Sequence, residues 1–364
     1  MRVLMLATDL ERGGLPMRLA RLATALHDTC VEPVVGCLAA KGPVSFELEA
    51  AGIETFSCDA RGRYDISCLW SLARQVRRLD PDLIQSFLCH ANVAARLVGR
   101  LDRYRPVVTG TVTIELERRT HRFLESLTCG LSDRHVANSR AVADHLRVDL
   151  GFPSERLVVI PNGISLEEFD GQPAIDRRAM GLAADVPLIV WAGRMDPVKN
   201  LETVVEVIAR ALGHMPLQAV LLGDGPERPR IESLIRKKGL SSAIRMALWS
   251  DRVLGWLKAA DLLLFPSLTE GSPNVVLEAM ACGCAVVASD VPACRELIDS
   301  GVHGWLCRSD DLEGLVAAVL LASSDTAARR RCADAARRRV EEGHAMQAIV
   351  HQWEMLFEQV VQGR

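Results

Sequence analysis

Short β-forming runs alternate with longer helical patterns along the whole of this 364-residue chain, and that alternation restricts its fold more than any other feature. Repetition of this kind closes into parallel sheets with crossover helices, not into sandwiches or bundles. In the first half the predicted strands fall at 3–8, 34–38, 53–57, 83–87, 107–111, 135–138 and 157–160. Apolar residues at helical spacing predict crossovers starting near Gly14 and running over 66–79 and 91–101. Pro161, Asn162 and Gly163 are a turn signal, and the polar stretch 165–173 has the composition of a linker. A second set of strands follows at 188–192, 218–222, 244–248, 262–265, 285–288 and 304–307. From Asp325 onward the chain reads as helix. The last helix, near 346–361, carries Trp353, Met355, Leu356 and Phe357, an apolar set suited to packing back on the first lobe. The expected architecture is α/β, with two Rossmann-like doubly wound lobes. The first spans 1–165, completed by 346–364, and the second spans 166–345; a chain of this length is too long for one ordinary core.

Composition removes several function classes. Apolar residues make up 49% and charged residues 24%, which excludes disorder, collagen and coiled coil. A net charge of −3 gives no global attraction for nucleic acid, so no such partner is expected. The eleven cysteines are odd in number and scattered through apolar runs, as at Cys37, Cys89 and Cys282. They read as reduced, packed thiols of a cytoplasmic protein. Cys282 and Cys284, with Cys294 nearby, lack the paired C-x-x-C of a zinc site, and no metal is expected. The apolar start meets Asp9, Glu11 and Arg12 too soon for a signal peptide. No run approaches the ~18 apolar residues of a spanning helix, so membrane contact, if made, is expected to be peripheral and at the inner face.

Two facing lobes of this kind place the carboxyl ends of their strands toward a shared crevice, where ligands gather. The stretch from Phe265 to Ser289, FPSLTEGSPNVVLEAMACGCAVVAS, is the most informative there. A strand ends at Pro266, a loop follows, and Ser272 and Pro273 read as a capping hydroxyl before a first-turn proline. Asn274, Val275 and Val276 then head a helix whose free N–H groups and dipole favour an anion. Glu270 lies before that helix and Glu278 within it. The E-x7-E spacing can place carboxylates at opposite ends of one ligand, each able to accept from a vicinal diol. Upstream, WAGRMDPVKN (191–200) follows a strand and opens a helix. Arg194 and Lys199 there suit a diphosphate, and Lys199 is one of only five lysines in an arginine-rich chain. Neither Gly13–Gly14 nor the GDGP at 223–226 completes a dinucleotide fingerprint.

The succession of Gly13–Gly14, IPNGI (160–164), GRMDPVKN, GDGPE (223–227), DLLLFPS, E-x7-E, AMACGCAVVASD and GVHGWL (301–306) resembles retaining glycosyltransferase family 4, of the GT-B fold. The resemblance implies transfer of a sugar from a nucleotide donor, of UDP or GDP type, to an acceptor hydroxyl, with retention and without a metal or cofactor. It implies that Arg194 and Lys199 grip the diphosphate and that Glu270 holds the transferred sugar. Gly271, Ser272, Pro273, Asn274 and Val275 would then lie near sugar and phosphate, Glu278 at the ribose, and Gly13 and Gly14 where backbone meets phosphate and acceptor. The base would meet the segment 245–249. Many members place a histidine where this chain has Thr113; His90 and His121 are near in sequence but not in the matching position. Glycan and lipid-linked acceptors both fit, and a nucleotide-sugar epimerase or a catalytically weak binding subunit are the rival readings.

The segment 66–124 holds ten arginines against five acids: Arg74, Arg77, Arg78, Arg96, Arg100, Arg103, Arg105, Arg118, Arg119 and Arg122. Solvated helix faces are the plainer expectation, and contact with anionic lipid or with an anionic acceptor the sharper one. Few exposed aromatics are expected beside these charges.

Overall fold

In strand β1 (Arg2–Ala7) the five residues after Arg2 are all apolar and all buried, as a parallel strand covered on both faces must be. The computed structural model describes residues 1–62, 65–101, 105–114, 119–248 and 252–363. It divides into two units, Met1–Gly163 with Met346–Arg364, and Ile164–Ala345.

In the first unit β1 leads to α1 (Gly14–His27), β2 (Glu32–Cys37), α2 (Pro43–Ala50), β3 (Thr55–Ser57) and α3 (Ser67–Leu79). Then come β4 (Leu83–Phe87), α4 (Cys89–Leu101), β5 (Val107–Thr111), α5 (Arg119–Thr128), β6 (Arg134–Ala137), α6 (Arg140–Leu150) and β7 (Leu157–Val159). The seven strands pair in parallel in the order β3-β2-β1-β4-β5-β6-β7. The winding therefore reverses between β1 and β4. Local chemistry sets the helix ends. Ser139 caps α6 by accepting from the Val142 N–H, and Gly151 stops it in the left-handed region at φ 70°.

The second unit opens with α7 (Leu166–Gly171), β8 (Leu188–Ala192), α8 (Leu201–Leu212), β9 (Gln218–Leu222), α9 (Arg228–Lys237) and β10 (Ile244–Ala247). It continues with α10 (Val253–Ala259), β11 (Leu262–Phe265), α11 (Asn274–Ala281), β12 (Ala285–Ser289), α12 (Pro292–Leu297), β13 (Trp305–Cys307), α13 (Leu312–Ser324) and α14 (Thr326–Gly343). Its six parallel strands run β10-β9-β8-β11-β12-β13, so the order reverses between β8 and β11. The chain then returns as α15 (Met346–Gln362). Trp353 and Phe357 of that helix share a core with Leu19 and Leu26 of α1 and with Met5 and Val35 of the first sheet. On the opposite face α3 and α4 supply Leu72, Val76, Ala95 and Val98 against Leu4, Leu6 and Ile84. Both units are doubly wound Rossmann-like sheets, the α/β class expected from the sequence.

Among the described residues no helix is long and apolar enough to cross a membrane.

Candidate active site

Open α/β sheets bind ligands outside the carboxyl ends of the two strands where the winding reverses. In the second unit those strands are β8 and β11. The loop after β8 holds Arg194 and Lys199, and the loop after β11 holds Glu270. Three tethers join these loops. The Leu268 N–H donates to the Val198 carbonyl at 2.8 Å, Ser267 Oγ donates to the same oxygen at 3.0 Å, and Asn200 Nδ2 donates to the Pro266 carbonyl at 3.2 Å. The result is a direct ion pair, Lys199 Nζ to Glu270 Oε1 at 2.6 Å, with both side chains mostly buried. The ammonium also lies 5.3 Å from the centre of the Phe265 ring, within cation–π range.

The third loop, GDGPE after β9, explains its glycines. A Cβ on Gly223 would stand 1.9 Å from the Gly193 carbonyl oxygen, and one on Gly225 would stand 2.7 Å from that of Met195. Both glycines also sit at positive φ, 146° and 150°. The Met195 N–H donates to the Asp224 carbonyl at 2.8 Å, and the Glu227 N–H donates to the Met195 carbonyl at 2.9 Å. The GRMD turn is thus pressed against GDGPE backbone to backbone.

Not every expected group converges. Arg194 projects into solvent, where its Nε meets Asp196 Oδ2 of the same loop at 3.1 Å. Helix α11 starts at Asn274 with Pro273 as its N-cap, so Ser272 is not the capping residue and Pro273 is not inside the first turn. The Val276 N–H donates to the Pro273 carbonyl at 3.0 Å, which corrects the expectation that it stands free; Asn274 and Val275 head the helix. Gly271 and Pro273 are buried, and Ser272, Asn274 and Val275 are half-buried. Glu278, also half-buried, stands in the second turn of α11. Beneath it the Cys282 thiol is pushed up to about 12 by burial and then by the Glu278 charge. Arg245 lies on β10, where its guanidinium donates to the Met180 carbonyl; Trp249, the far end of the expected base segment, lies outside the described residues. No group of three or more His, Cys, Asp or Glu side chains placed to hold a metal is found among the described residues.

In the first unit Gly13 is the extended N-cap of α1, and a Cβ on Gly14 would meet nothing within 4 Å. Packing therefore does not require glycine at position 14. Thr113 lines an open pocket with Leu88, Cys89, His121, Arg122 and Glu125. His121 lines the Thr113 pocket although it lies off the matching position in sequence, and its ring meets that of His90 edge to face at 4.8 Å.

A polar cluster beneath this pocket was not foreseen. Arg96 is fully buried; its Nη1 donates to Glu125 Oε2 at 2.6 Å and to Thr128 Oγ1 at 2.9 Å, and its Nε donates to Ser132 Oγ at 2.8 Å. Asn92 Nδ2 donates to Glu125 Oε1 at 3.0 Å and to the Gly110 carbonyl at 3.1 Å. His135 Nδ1 lies 2.7 Å from Thr109 Oγ1, and burial together with the Arg96 charge pushes the ring down to about 3. The spacing of Asn92 and Arg96, one turn apart on the apolar face of α4, was the available signal. Arg96 thus leaves the set of expected solvated arginines, while Arg103 and Arg118 lie outside the described residues.

Two doubly wound parallel sheets of this topology in one chain are the architecture of the GT-B fold class. Residues 12–168 match the family model described as Glycosyltransferase Family 4, and residues 174–339 match that described as Glycosyl transferases group 1. The chain belongs to these family-4-type glycosyltransferases. It is 32% identical over 201 residues to a D-inositol 3-phosphate glycosyltransferase of Geodermatophilus obscurus, covering 52% of this chain and 45% of that protein. It is 30% identical over 206 residues to the lipopolysaccharide core biosynthesis glycosyltransferase LpsE of Rhizobium meliloti, covering 56% and 57%. The matches therefore span about half the length of these relatives. In fold it is similar to the crystal structure of HepE from Anabaena in complex with UDP and glucose, with TM-score 0.86, 20% identity, and 99% and 100% of the two chains covered. Sucrose-phosphate synthase from Thermosynechococcus elongatus matches with TM-score 0.86 at 20% identity over 100% of both chains.

Proposed function

We propose that this protein transfers a sugar from a nucleotide-sugar donor of UDP or GDP type to a hydroxyl of a glycan or lipid-linked acceptor, with retention and without a metal. The observation that supports it best is the Lys199–Glu270 pair at the switch point of the second unit, beside the start of α11. In this reading Lys199 and Arg194 meet the diphosphate, joined by the amides that head α11. Glu270, held by Lys199 through one oxygen, accepts from sugar hydroxyls through its carboxylate. Glu278 accepts from the ribose diol.

Transfer forms a bond from the acceptor oxygen to the anomeric carbon and breaks the bond from that carbon to the phosphate oxygen. Negative charge grows on the departing diphosphate and positive character on the sugar. Fixed cations and amides aimed at the phosphate therefore stabilise the transition state more than the ground state. They supply positive charge that a metal would otherwise bring. The leaving phosphate takes the acceptor proton from the same face, which retains configuration and calls for no protein base. The UDP-bound HepE structure supports the donor class, and the LpsE relative supports a glycan or glycolipid acceptor. Lipid-linked acceptors lie at a membrane, so peripheral contact there is part of the reading.

A panel of nucleoside diphosphates and nucleotide sugars screened by thermal shift, followed by product NMR with and without EDTA, tests it. A stabilising donor whose sugar reaches an acceptor with its anomeric configuration kept, unaffected by EDTA, is the expected result. Epimerised donor as the product would establish the epimerase, and nucleotide binding without transfer or donor hydrolysis would establish a binding subunit.

A further inference from the structure

Helix α3 turns a tryptophan outward. Trp70 is 81% exposed and Ile66, at the N-cap, 73% exposed, with Arg74, Arg77 and Arg78 exposed on the following turns. These five positions span about 120° of helix surface at 3.6 residues per turn, opposite buried Cys68, Leu72, Val76 and Leu79. Helix α5 repeats the pattern. Phe123 is 66% and Leu127 68% exposed, one turn apart, and exposed Arg119 precedes them by another turn. The expectation of few exposed aromatics beside these arginines is therefore corrected by Trp70 and Phe123.

The charge on this side of the first unit is lopsided. Helix α3 packs on α4 and α4 on α5. Together the three contain seven arginines and a single acid, Glu125, which pairs with buried Arg96 inside the fold. Glu54, from outside the three helices, holds Arg78 at 2.7 Å. The whole chain, by contrast, carries a net charge of −3. A basic, aromatic-bearing helical face on an acidic protein fits a negatively charged surface with an apolar layer beneath it. Tryptophan settles at the boundary between lipid headgroups and hydrocarbon, and arginine pairs with lipid phosphates.

We propose that the α3–α5 face of the first unit docks on an anionic lipid bilayer, with Trp70 and Phe123 entering the headgroup layer and Arg74, Arg77 and Arg119 meeting lipid phosphates. The proposal deepens the transferase reading, on which its use to reach a lipid-linked acceptor rests, but the docking itself is measured without turnover.

The full chain is sedimented with vesicles of phosphatidylglycerol mixed with phosphatidylcholine, and with vesicles of phosphatidylcholine alone. Binding to the anionic vesicles, weakened by salt and weak on neutral ones, is expected. The double variant Arg74→Gln/Arg77→Gln should lower the partition coefficient roughly 25-fold, about fivefold for each basic residue near an anionic surface. Trp70→Ser/Phe123→Ser should lower it at unchanged salt dependence. UDP-induced thermal shift serves as the folding control, and both variants should keep the wild-type response. Failure of the wild type to bind anionic vesicles, equal binding to neutral ones, or indifference to both variants overturns the docking face. Loss of the UDP response in the wild type would instead strike the transferase reading and leave the vesicle result standing.

Discussion

Lys199 Nζ and Glu270 Oε1 lie 2.6 Å apart although 71 residues separate them, because their loops leave neighbouring strands at the point where the second sheet reverses its winding. Each charge fixes the rotamer of the other. A flexible lysine is thereby turned into a positioned one.

Replacing that lysine separates two effects. Lys199→Ala is expected to weaken UDP binding by roughly 10- to 150-fold, the range for a lost charge-assisted hydrogen bond, and to abolish transfer. It also leaves the Glu270 carboxylate without its partner, which should lower stability by about 1–3 kcal/mol. Titration calorimetry and urea unfolding read the two losses separately. Arg194→Ala, at an exposed position, should lower turnover with stability unchanged.

Glu278→Ala is expected to raise the donor KM while largely sparing kcat, since a ribose contact is made equally in ground and transition states. A large fall in kcat at unchanged donor affinity would place Glu278 at the transferred sugar instead.

The glycines of the second and first units should respond in opposite ways. Gly223→Ala drives a methyl into the Gly193 carbonyl at positive φ, and a loss of about 1–3 kcal/mol with weakened nucleotide binding is expected. Gly14→Ala meets open space and should leave the melting temperature within about 2 °C of wild type. Activity lost in Gly14→Ala would therefore report on a ligand and not on packing.

The buried cluster predicts a pH effect. The folded His135 titrates near 3, against 6.5 in the unfolded chain, because burial and Arg96 oppose its charge. Between those values the unfolded state binds the extra proton, so stability falls as pH drops from about 6.5 toward 3. The contribution at pH 4.5 is on the order of 2 kcal/mol. Urea midpoints for wild type and His135→Gln at pH 7 and pH 4.5 test it, and the variant should show a smaller drop.

Removing one half of the Arg96–Glu125 pair is expected to cost about 3–5 kcal/mol, as for other buried ion pairs cut on one side. The double variant Arg96→Met/Glu125→Leu should recover part of that loss. Additive single-site effects in denaturant unfolding would argue that the two groups are not coupled.

Much of this was legible from the sequence. Apolar runs such as VLMLA and LLLF, short and bounded by turn signals, read as buried strands, and their alternation with helices points to a doubly wound sheet. Lys199 and Glu270 were legible as site residues because their loops follow such strands. Their pairing was not, since it depends on which strands become neighbours. The cap of α11 was misplaced by one residue because Ser272 and Pro273 satisfy the same local rule in two registers, and only backbone geometry chooses between them. The Arg96 cluster stayed hidden for a different reason. One arginine among ten in a basic segment looks solvated until the partner on α5, far along the chain, is known to lie beside it.

Because α15 shares a core with α1 and the first sheet, the first unit completes that core only after residues 346–362 have been synthesised. The whole second unit emerges in the meantime. A nascent chain halted after residue 345 should expose Leu19, Leu26 and Met5 to chaperones, and extension through residue 362 should end that dependence.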